Sequence, residues 1–391
     1  MAEDLVKVVD EIQDDIQRKN YEKYYYLFEI AINFLKKEKV LLYGGTAINS
    51  IFPAKSKFYK TFELPDIDMF STNAKDLAEK LAEEYRKIKP IKHTAQVRPA
   101  LHHGTYKVFI NSIPVADLTD VSPEFFNTIY KGHMMGDLDI PVPDIEYLRM
   151  TLYGLLSQPM DSIRWVKVFE RLTTLNRLFP LRRGVVSKAP KIKSAPGFPV
   201  SRILDYLKGK PYIIFAGRDA LNRVANAGGK KLSTVYSDNC VYILIKKEHF
   251  SKTVKDIHKD LNTREMPLER GEIHPTDDFV QEHASIRYNG ERVLNIFSTG
   301  DLCLNYVEGT GSESMLRIGT IHTIIRMLYS MRFSRYSTIP IDQLDYLIYT
   351  FVSIQKSKKF GAKSGDKAHL AQFVIECHGD QPGLITMKQK K

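Results

Sequence analysis

Acidic side chains near residue 66 and at residue 117 are placed where they could bind cations. Asp66 and Asp68 lie two residues apart in an apolar run, so at strand period their side chains share one face. Two carboxylates on one face repel each other unless a positive charge lies between them. A divalent metal ion that carries a nucleoside triphosphate would supply that charge, which predicts phosphoryl-transfer chemistry.

A third carboxylate lies in a predicted β-hairpin at residues 104–120, whose turn is formed by Asn111 and Ser112. Asp117 falls inside the second apolar strand, where a buried carboxylate is costly without a counter-charge. The alternative is an aspartate that caps a turn at Thr119, and Asp120 suits that role better. We therefore predict Asp117 as the third metal ligand.

A glycine turn precedes the aspartate pair. Residues 40–43 form an apolar run that predicts a buried strand, Gly44 and Gly45 end it, and residues 46–52 predict a short helix that begins near Thr46. The free N–H groups and the dipole at a helix start favour an anion, which predicts a phosphate site. The P-loop class of phosphate site is excluded, because the motif G-x-x-x-x-G-K-[ST] is not present in the sequence.

These motifs carry a family resemblance. The runs Tyr43-Gly44-Gly45-Thr46 and Pro65-Asp66-Ile67-Asp68-Met69 resemble the DNA polymerase β-like nucleotidyltransferase superfamily, which combines a Gly-Gly or Gly-Ser turn, an Asp-x-Asp pair and a third Asp on a later strand. Within it, the chain is most similar to the poly(A) polymerase catalytic subunits of large DNA viruses, of the poxvirus type and more closely of the giant-virus, mimivirus type. The specific motifs lie in residues 40–120.

The resemblance implies a function, template-independent transfer of AMP from ATP to the 3′ end of viral mRNA. Asp66 and Asp68 would hold two divalent ions, Mg²⁺ or Mn²⁺, on one triphosphate. Asp117 would share one of these ions and help to deprotonate the 3′-hydroxyl of the primer. The resemblance also implies the partners: ATP, an RNA 3′ end and, by similarity to the giant-virus type, a second copy of the chain in a homodimer.

The glycine turn would complete the nucleotide site. Gly44, Gly45 and Thr46 would hold the β- and γ-phosphates, since small residues permit close approach of the backbone. Asn49, one helical turn on from Gly45, would contact the sugar or the phosphates, or would instead make a local cap or packing hydrogen bond.

Two other functions of the chain stay open. One is a nucleotidyltransferase with another acceptor (CCA addition, oligoadenylate synthesis or a small molecule), and the other is a non-catalytic RNA-binding subunit.

Composition bounds the class of protein. The chain has 391 residues, a net charge of +11 and a pI of about 9.2, which favours an acidic partner such as RNA. No apolar run is long enough to span a membrane, and the acidic N-terminus is unlike a signal peptide. Three scattered cysteines predict a reducing, intracellular compartment without disulfides or a zinc site. The resemblance implies the virion or the host cytoplasm, within the viral factory.

The predicted fold is α+β: a mixed-sheet nucleotidyltransferase domain with helices, followed by a second, degenerate nucleotidyltransferase-like domain. We predict an N-terminal helical region (1–38), a catalytic domain (39–180), a basic Pro- and Lys-rich linker (181–202) and a degenerate C-terminal domain with a basic tail (203–391). The linker could contact an RNA backbone, and the tail could contact RNA or simply aid solubility.

The second domain is predicted because the second half of the chain looks like a worn copy of the first. Residues 212–222 repeat the strand, glycine turn and helix of residues 41–49. Only one of the three metal-binding positions keeps a carboxylate, and one aspartate cannot hold a pair of metal ions. The predicted matches are Asp238 for Asp66, Cys240 for Asp68 and Asn295 for Asp117.

The N-terminal region, residues 3–37, has helical periodicity. Its apolar positions are predicted to pack against the first strand, and they begin with Leu5, Val8, Val9, Ile12 and Ile16. Its tyrosines could stack on bases or occupy core and rim positions. They are Tyr21, Tyr24, Tyr25 and Tyr26.

Overall fold

The computed structural model describes residues 2–88, 94–100, 104–181, 197–232, 240–309, 314–357 and 370–379. The chain divides into two compact units, Met1–Leu148 and Arg149–Lys391. The helix Ile145–Leu156 contains the point of division. The four predicted segments stay a prediction: most of the linker, the lysine-rich end of the tail and Asp238 lie outside the described residues.

The first unit is built on a five-stranded mixed sheet. Its helices are α1 (Ala2–Leu35), α2 (Gly44–Ser50), α3 (Ala74–Lys87) and α4 (Pro123–Tyr130). Its strands are β1 (Leu41–Tyr43), β2 (Asp68–Ser71), β3 (Ala95–Pro99), β4 (Thr105–Ile110), β5 (Ile113–Asp120), β6 (Met134–Met135) and β7 (Pro141–Val142). The sheet order is β1-β2-β5-β4-β3, and β6 pairs with β7. The pair β2–β5 is parallel, and the other neighbours are antiparallel.

The hairpin predicted at residues 104–120 is confirmed. Asn111 and Ser112 connect β4 to β5 with φ angles of 49° and 69°. A two-residue turn of this hand matches the twist of the strands, and Asn is among the residues that accept a positive φ most readily. The capping aspartate is Asp120, whose Oδ1 accepts a hydrogen bond from the N–H of Ala74 at the start of α3 (3.2 Å).

Helix α1 is one continuous helix whose second half lies in the core. Leu27, Phe28 and Leu35 are buried there. The apolar residues of its first half are exposed by 41–64%, namely Leu5, Val6, Val8, Val9, Ile12 and Ile16. The prediction that this stripe packs against the first strand is therefore wrong. Periodicity shows that a helix has an apolar face, but not what covers that face.

The second unit contains an eight-stranded mixed sheet. Its helices are α5 (Ile145–Leu156, which begins in the first unit), α6 (Trp165–Leu178), α7 (Val200–Leu207), α8 (Arg218–Ala227), α9 (Phe250–Leu261), α10 (Ile321–Phe333) and α11 (Ile341–Ser357). Its strands are β8 (Ile213–Ala216), β9 (Val241–Ile245), β10 (Glu269–His274), β11 (His283–Tyr288), β12 (Glu291–Ser298), β13 (Leu304–Glu308), β14 (Arg317–Gly319) and β15 (Cys377–His378). The sheet order is β10-β11-β12-β9-β8-β14-β13-β15.

The two sheets share one topology. Within the larger sheet, β8-β9-β12-β11-β10 has the order of β1-β2-β5-β4-β3, and α8 follows β8 as α2 follows β1. Among these five strands of each sheet, one neighbouring pair is parallel, and it falls at the same place: β9–β12 in the second unit and β2–β5 in the first. The predicted second nucleotidyltransferase-like domain is therefore confirmed as a fold.

The register corrects the predicted residue matches. In the first unit Tyr43 pairs with Asp68, which pairs with Asp117. In the second unit Ala216 pairs with Tyr242, which pairs with Asn295. Tyr242 therefore stands at the place of Asp68, and Cys240, two residues earlier, stands at the place of Asp66. The predicted match of Cys240 with Asp68 was wrong by two residues.

The prediction of no disulfide was also wrong. Cys303 and Cys377 are joined, with their Cα atoms 5.3 Å apart, where β13 pairs with β15. The sequence separation of 74 residues hid this proximity. Cys240 is a free, buried thiol. Within the described ranges, no helix is both long and apolar enough to cross a bilayer.

Candidate active site

Two of the predicted carboxylates lie side by side on the first sheet. Asp68 begins β2 and pairs in parallel register with Asp117 on β5, and the N–H of Asp117 donates to the carbonyl of Ile67 (2.8 Å). Neighbouring strands are about 4.8 Å apart, so residues in register on one face are close neighbours. Both side chains are half-buried, whereas Met69 and Leu118, one position on, are buried on the other face.

Asp66 lies just outside the regular strand. It is exposed, Ile67 is buried and Asp68 is half-buried, so the alternation continues backwards from β2 and keeps Asp66 on the face of Asp68. The structure thus brings Asp68 and Asp117 together and leaves Asp66 at the open edge of the pair.

Lys107 is a partner of this site that the sequence reasoning missed. It lies opposite Asp117 on β4, and its Nζ donates to Asp117 Oδ2 (2.5 Å), with side-chain exposures of 39% and 17%. Among the described residues, no group of three or more His, Cys, Asp or Glu side chains is arranged to hold a metal ion. Asp66, Asp68 and Asp117 therefore do not form such a group here. The signal for Lys107 was available, since the predicted hairpin turn places it near Asp117 across the strands.

The glycine turn is tighter than predicted, because β1 runs directly into α2 and the helix begins at Gly44 instead of near Thr46. Gly44 has a φ of +75°, and a Cβ atom there would lie 2.7 Å from Asp68 Oδ2. The backbone conformation therefore favours glycine, and a side chain at this position would displace the Asp68 carboxylate. Thr46 is 4% exposed, and its Oγ1 has no hydrogen-bond partner among the residues that the structure describes.

Asn49 makes the packing hydrogen bonds that were the alternative to a nucleotide contact. Its Oδ1 accepts from the N–H groups of Phe58 (2.9 Å) and Tyr59 (3.2 Å). These bonds hold the lysine-containing segment between α2 and β2 against the helix. Asn49 and Thr46 also line a cavity of about 280 Å³, together with Tyr21 and other residues of α1 and that segment.

Tyr43 is a second partner that the sequence did not single out. Its ring stacks on Phe70 (centroids 3.8 Å apart), and its hydroxyl is hydrogen-bonded to Thr119 Oγ1 (2.9 Å). Burial raises the pKa of the Tyr43 hydroxyl, and the negative charges of Asp68, Asp117 and Asp66 raise it further. Tyr43 is therefore a neutral polar group beside the acids at neutral pH.

Residues 29–162, which include these acids and the glycine turn, match the family model described as "Poly(A) polymerase catalytic subunit". Two African swine fever virus chains, provisionally named poly(A) polymerase catalytic subunits, are similar over 165 residues: 34% identical in strain Badajoz and 33% in the Malawi tick isolate. The similar region is 39% of this chain and 33% of each relative, so the chain spans about a third of the length of these relatives.

The fold of the chain is similar to the crystal structure of the Megavirus polyadenylate synthase. The TM-score is 0.74 at 18% sequence identity, and the match covers 100% of this chain and 81% of that one. These comparisons confirm the resemblance to viral poly(A) polymerase catalytic subunits over the motif-bearing region. The structural likeness also confirms the predicted α+β fold with mixed sheets.

Proposed function

We propose that this chain is a template-independent poly(A) polymerase that transfers AMP from ATP to the 3′ end of viral mRNA. The observation that carries the proposal is the parallel register of Asp68 and Asp117 beside the open turn at Gly44. The match of residues 29–162 to the poly(A) polymerase family model supports the choice of reaction.

The donor set fits divalent cations. Asp68 and Asp117 present carboxylate oxygens, the ligands that Mg²⁺ and Mn²⁺ prefer. Asp66 does not form a three-carboxylate group with them in this structure, and in our proposal it would join them when the ions bind. A side chain at Gly44 would fill the space next to Asp68 Oδ2, so the glycine keeps that space free. Two such ions, when bound, would stabilise the attacking and the leaving oxygen of an in-line phosphoryl transfer.

The residues of the site would then divide the work. Gly44, Gly45 and Thr46 would hold the β- and γ-phosphates, the two glycines through their backbone N–H groups. Asp117 would help to take the proton of the RNA 3′-hydroxyl. The 3′ oxygen forms a bond to the α-phosphorus of ATP, the bond from that phosphorus to the bridging oxygen breaks, and pyrophosphate leaves.

The test is an extension assay with a short RNA, each single NTP, and titrated Mg²⁺ or Mn²⁺. Long tails made with ATP alone support the proposal. Addition of a few CMP and AMP residues would indicate CCA addition, and products made without RNA would indicate oligoadenylate or small-molecule transfer. RNA binding by the wild-type chain without any incorporation would indicate a non-catalytic subunit.

Isosteric variants locate the activity. Asp68→Asn and Asp117→Asn should each lower kcat by about 10²- to 10³-fold, because each removes a charge that acts on the transition state. Asp120→Asn is the matched control: it changes an aspartate of the same strand β5 that caps α3. Full activity in Asp68→Asn or Asp117→Asn would refute the assignment of the site.

We propose further that the chain forms a homodimer through α1. Leu5, Val9, Ile12 and Ile16 are spaced by four, three and four residues, the spacing of a coiled-coil seam. In an antiparallel pair of these helices, Leu5 would lie against Ile16 of the other copy, and Val9 against Ile12. Each contact occurs twice, once from each copy, so the stripe is self-complementary. Covering the exposed stripe on both copies would bury roughly 1,000 Å² in total, near the lower limit of a specific interface.

Sedimentation of the full chain tests this interface. The double variant Val9→Gln/Ile12→Gln should shift the protein to monomer at micromolar concentration, because it removes the two central layers. Lys7→Gln/Asp10→Asn, on the same exposed half of α1, should leave the mass unchanged. A wild-type chain that is monomeric at all concentrations would refute the dimer and leave the active-site proposal standing.

A further inference from the structure

The second unit contains a cavity of about 210 Å³ that is lined by cationic, aromatic and hydroxyl side chains. Two lysines, two tyrosines and two hydroxyl side chains form its wall. They are Lys230, Lys231, Tyr346, Tyr349, Thr350 and Ser353. We call this set the lysine–tyrosine cleft. None of the described residues that line it is acidic.

Local structure brings the two sides of the cleft together. Helix α8 ends at Gly228 and Gly229, and the N–H of Lys230 donates back to the carbonyl of Ala225 (2.8 Å). A Cβ atom at Gly228 would lie 2.5 Å from the side chain of Ile354 on α11, so glycine permits the close contact. The lysines are thereby held beside α11.

The tyrosine side of the cleft is a stripe on α11. Tyr346 and Tyr349 are three residues apart, which places them on one face of the helix. The hydroxyls of Thr350 and Ser353 donate to the carbonyls of Tyr346 (2.9 Å) and Tyr349 (2.7 Å). These hydroxyl donors are therefore used within the helix.

The lysines carry charge without a compensating acid. Both are exposed, and neither forms an ion pair with the described residues. The negative end of the helix dipole favours a lysine that follows a helix, which explains in part why lysines occur after α8. That effect does not account for the two tyrosines that line the same cavity or for its concave shape.

We propose that the lysine–tyrosine cleft binds single-stranded RNA, with the lysines on backbone phosphates and at least one tyrosine ring stacked on a base. Cationic side chains that follow the backbone, with aromatic rings that stack on bases, are the combination by which proteins hold single strands without reading their sequence. The assignment to RNA rests on the proposed function, since that function requires a strand that is held while its 3′ end is extended.

The test measures binding of a fluorescent 15-nucleotide oligoadenylate to the full chain as a function of salt. Lys230→Gln/Lys231→Gln should reduce the slope of log K against log salt by about 1.4, since each phosphate contact on a single strand contributes about 0.7. The matched control is Lys252→Gln/Lys255→Gln, which removes two exposed lysines of α9 in the same unit. It should leave the slope unchanged.

The aromatic side needs its own variant. Tyr349→Leu should weaken RNA binding by roughly tenfold, because it removes one base stack, and it should leave the salt slope unchanged. Thermal unfolding of this variant shows whether the helix is intact, and Tyr349→Phe, which keeps the ring, should restore binding.

Several outcomes separate the cleft from the active site. Cleft variants should raise KM for RNA while kcat at saturating RNA stays that of wild type, whereas Asp68→Asn loses kcat and keeps RNA binding. An unchanged slope in Lys230→Gln/Lys231→Gln, or equal slopes in this variant and its control, overturns the cleft alone. Competition by inorganic tripolyphosphate as strong as by RNA would show a bare anion site and overturn the RNA assignment. A wild-type chain that binds no RNA overturns both proposals.

Discussion

The two units keep one sheet topology and differ at the line of residues that crosses its centre. In the first unit that line is Tyr43, Asp68 and Asp117, and in the second it is Ala216, Tyr242 and Asn295. Strand order depends on the many buried apolar residues of the strands, whereas metal chemistry depends on a few positions. A copy can therefore lose every carboxylate on this line and still keep the fold.

The space around these lines differs as well. In the second unit, Tyr242 and Asn295 are 1% and 3% exposed, and the Asn295 side chain donates to Cys240 Sγ (3.2 Å). The cavity next to Gly217 and Cys240 has a volume of about 10 Å³, about the space of one water molecule. In the first unit Asp68 and Asp117 are half-buried and accessible. The difference indicates that the second copy has closed its site and not merely changed its ligands.

Reciprocal exchange of Asp and Asn at the matched positions 117 and 295 should give the largest difference in stability between the two units. Asn295→Asp places a carboxylate at a buried position without a cation, which should lower the free energy of unfolding by about 3 kcal/mol at pH 7. The loss should shrink as the pH falls and the new acid becomes neutral. Asp117→Asn should change stability by less than about 1 kcal/mol, because its partner Lys107 is partly exposed.

Urea unfolding at pH 4 and pH 7, together with the extension assay, measures both members of the pair. Asn295→Asp should keep the extension activity of whatever fraction is folded, and Asp117→Asn should lose it. Equal stability losses in the two variants would mean that the two lines do not differ in burial as described.

The motifs made the first unit largely predictable. Strand, glycine turn and aspartate pair are local signals, and the Asn-Ser turn fixed the hairpin that carries Asp117. What could not be predicted were contacts that depend on distant parts of the chain. Cys303 and Cys377 meet through a strand pair, and the exposed stripe of α1 has the same periodicity as a buried one. The predicted match of Cys240 with Asp68 was wrong for another reason. Register depends on how neighbouring strands pair, and a pattern of residues along one strand does not contain that information.

The glycine after the first strand of each unit gives the next comparison. Both positions are glycine, but different atoms lie next to them. A Cβ at Gly44 would meet the side-chain oxygen of Asp68, whereas a Cβ at Gly217 would meet the backbone carbonyl of Cys240 at 2.5 Å. A carboxylate can turn away, but a backbone carbonyl in a sheet cannot. Both glycines have positive φ, 75° and 113°.

Gly217→Ala should therefore cost about 2–3 kcal/mol of stability and leave the kcat of the folded protein unchanged. Gly44→Ala should cost about 1 kcal/mol, from its φ, and should lower kcat because it displaces Asp68. The measurements are urea unfolding and steady-state AMP incorporation. A Gly44→Ala variant with wild-type kcat would show that the position of Asp68 Oδ2 next to the turn does not matter for catalysis.

The smallest expected effect concerns Lys107, for which the second unit has Ser285 at the paired position. The Lys107 ammonium lies where a divalent ion bound to Asp117 Oδ2 would need the same oxygen. Lys107→Met keeps the length of the side chain and removes this competing charge, so half-saturation with Mg²⁺ should occur at a concentration a few-fold lower, a change of less than about 1 kcal/mol. Lys107→Arg, the matched control, keeps the charge and should leave half-saturation near the wild-type value. A higher Mg²⁺ requirement in Lys107→Met would mean that Lys107 assists ion binding, for example by orienting Asp117, and that it does not compete with the ion.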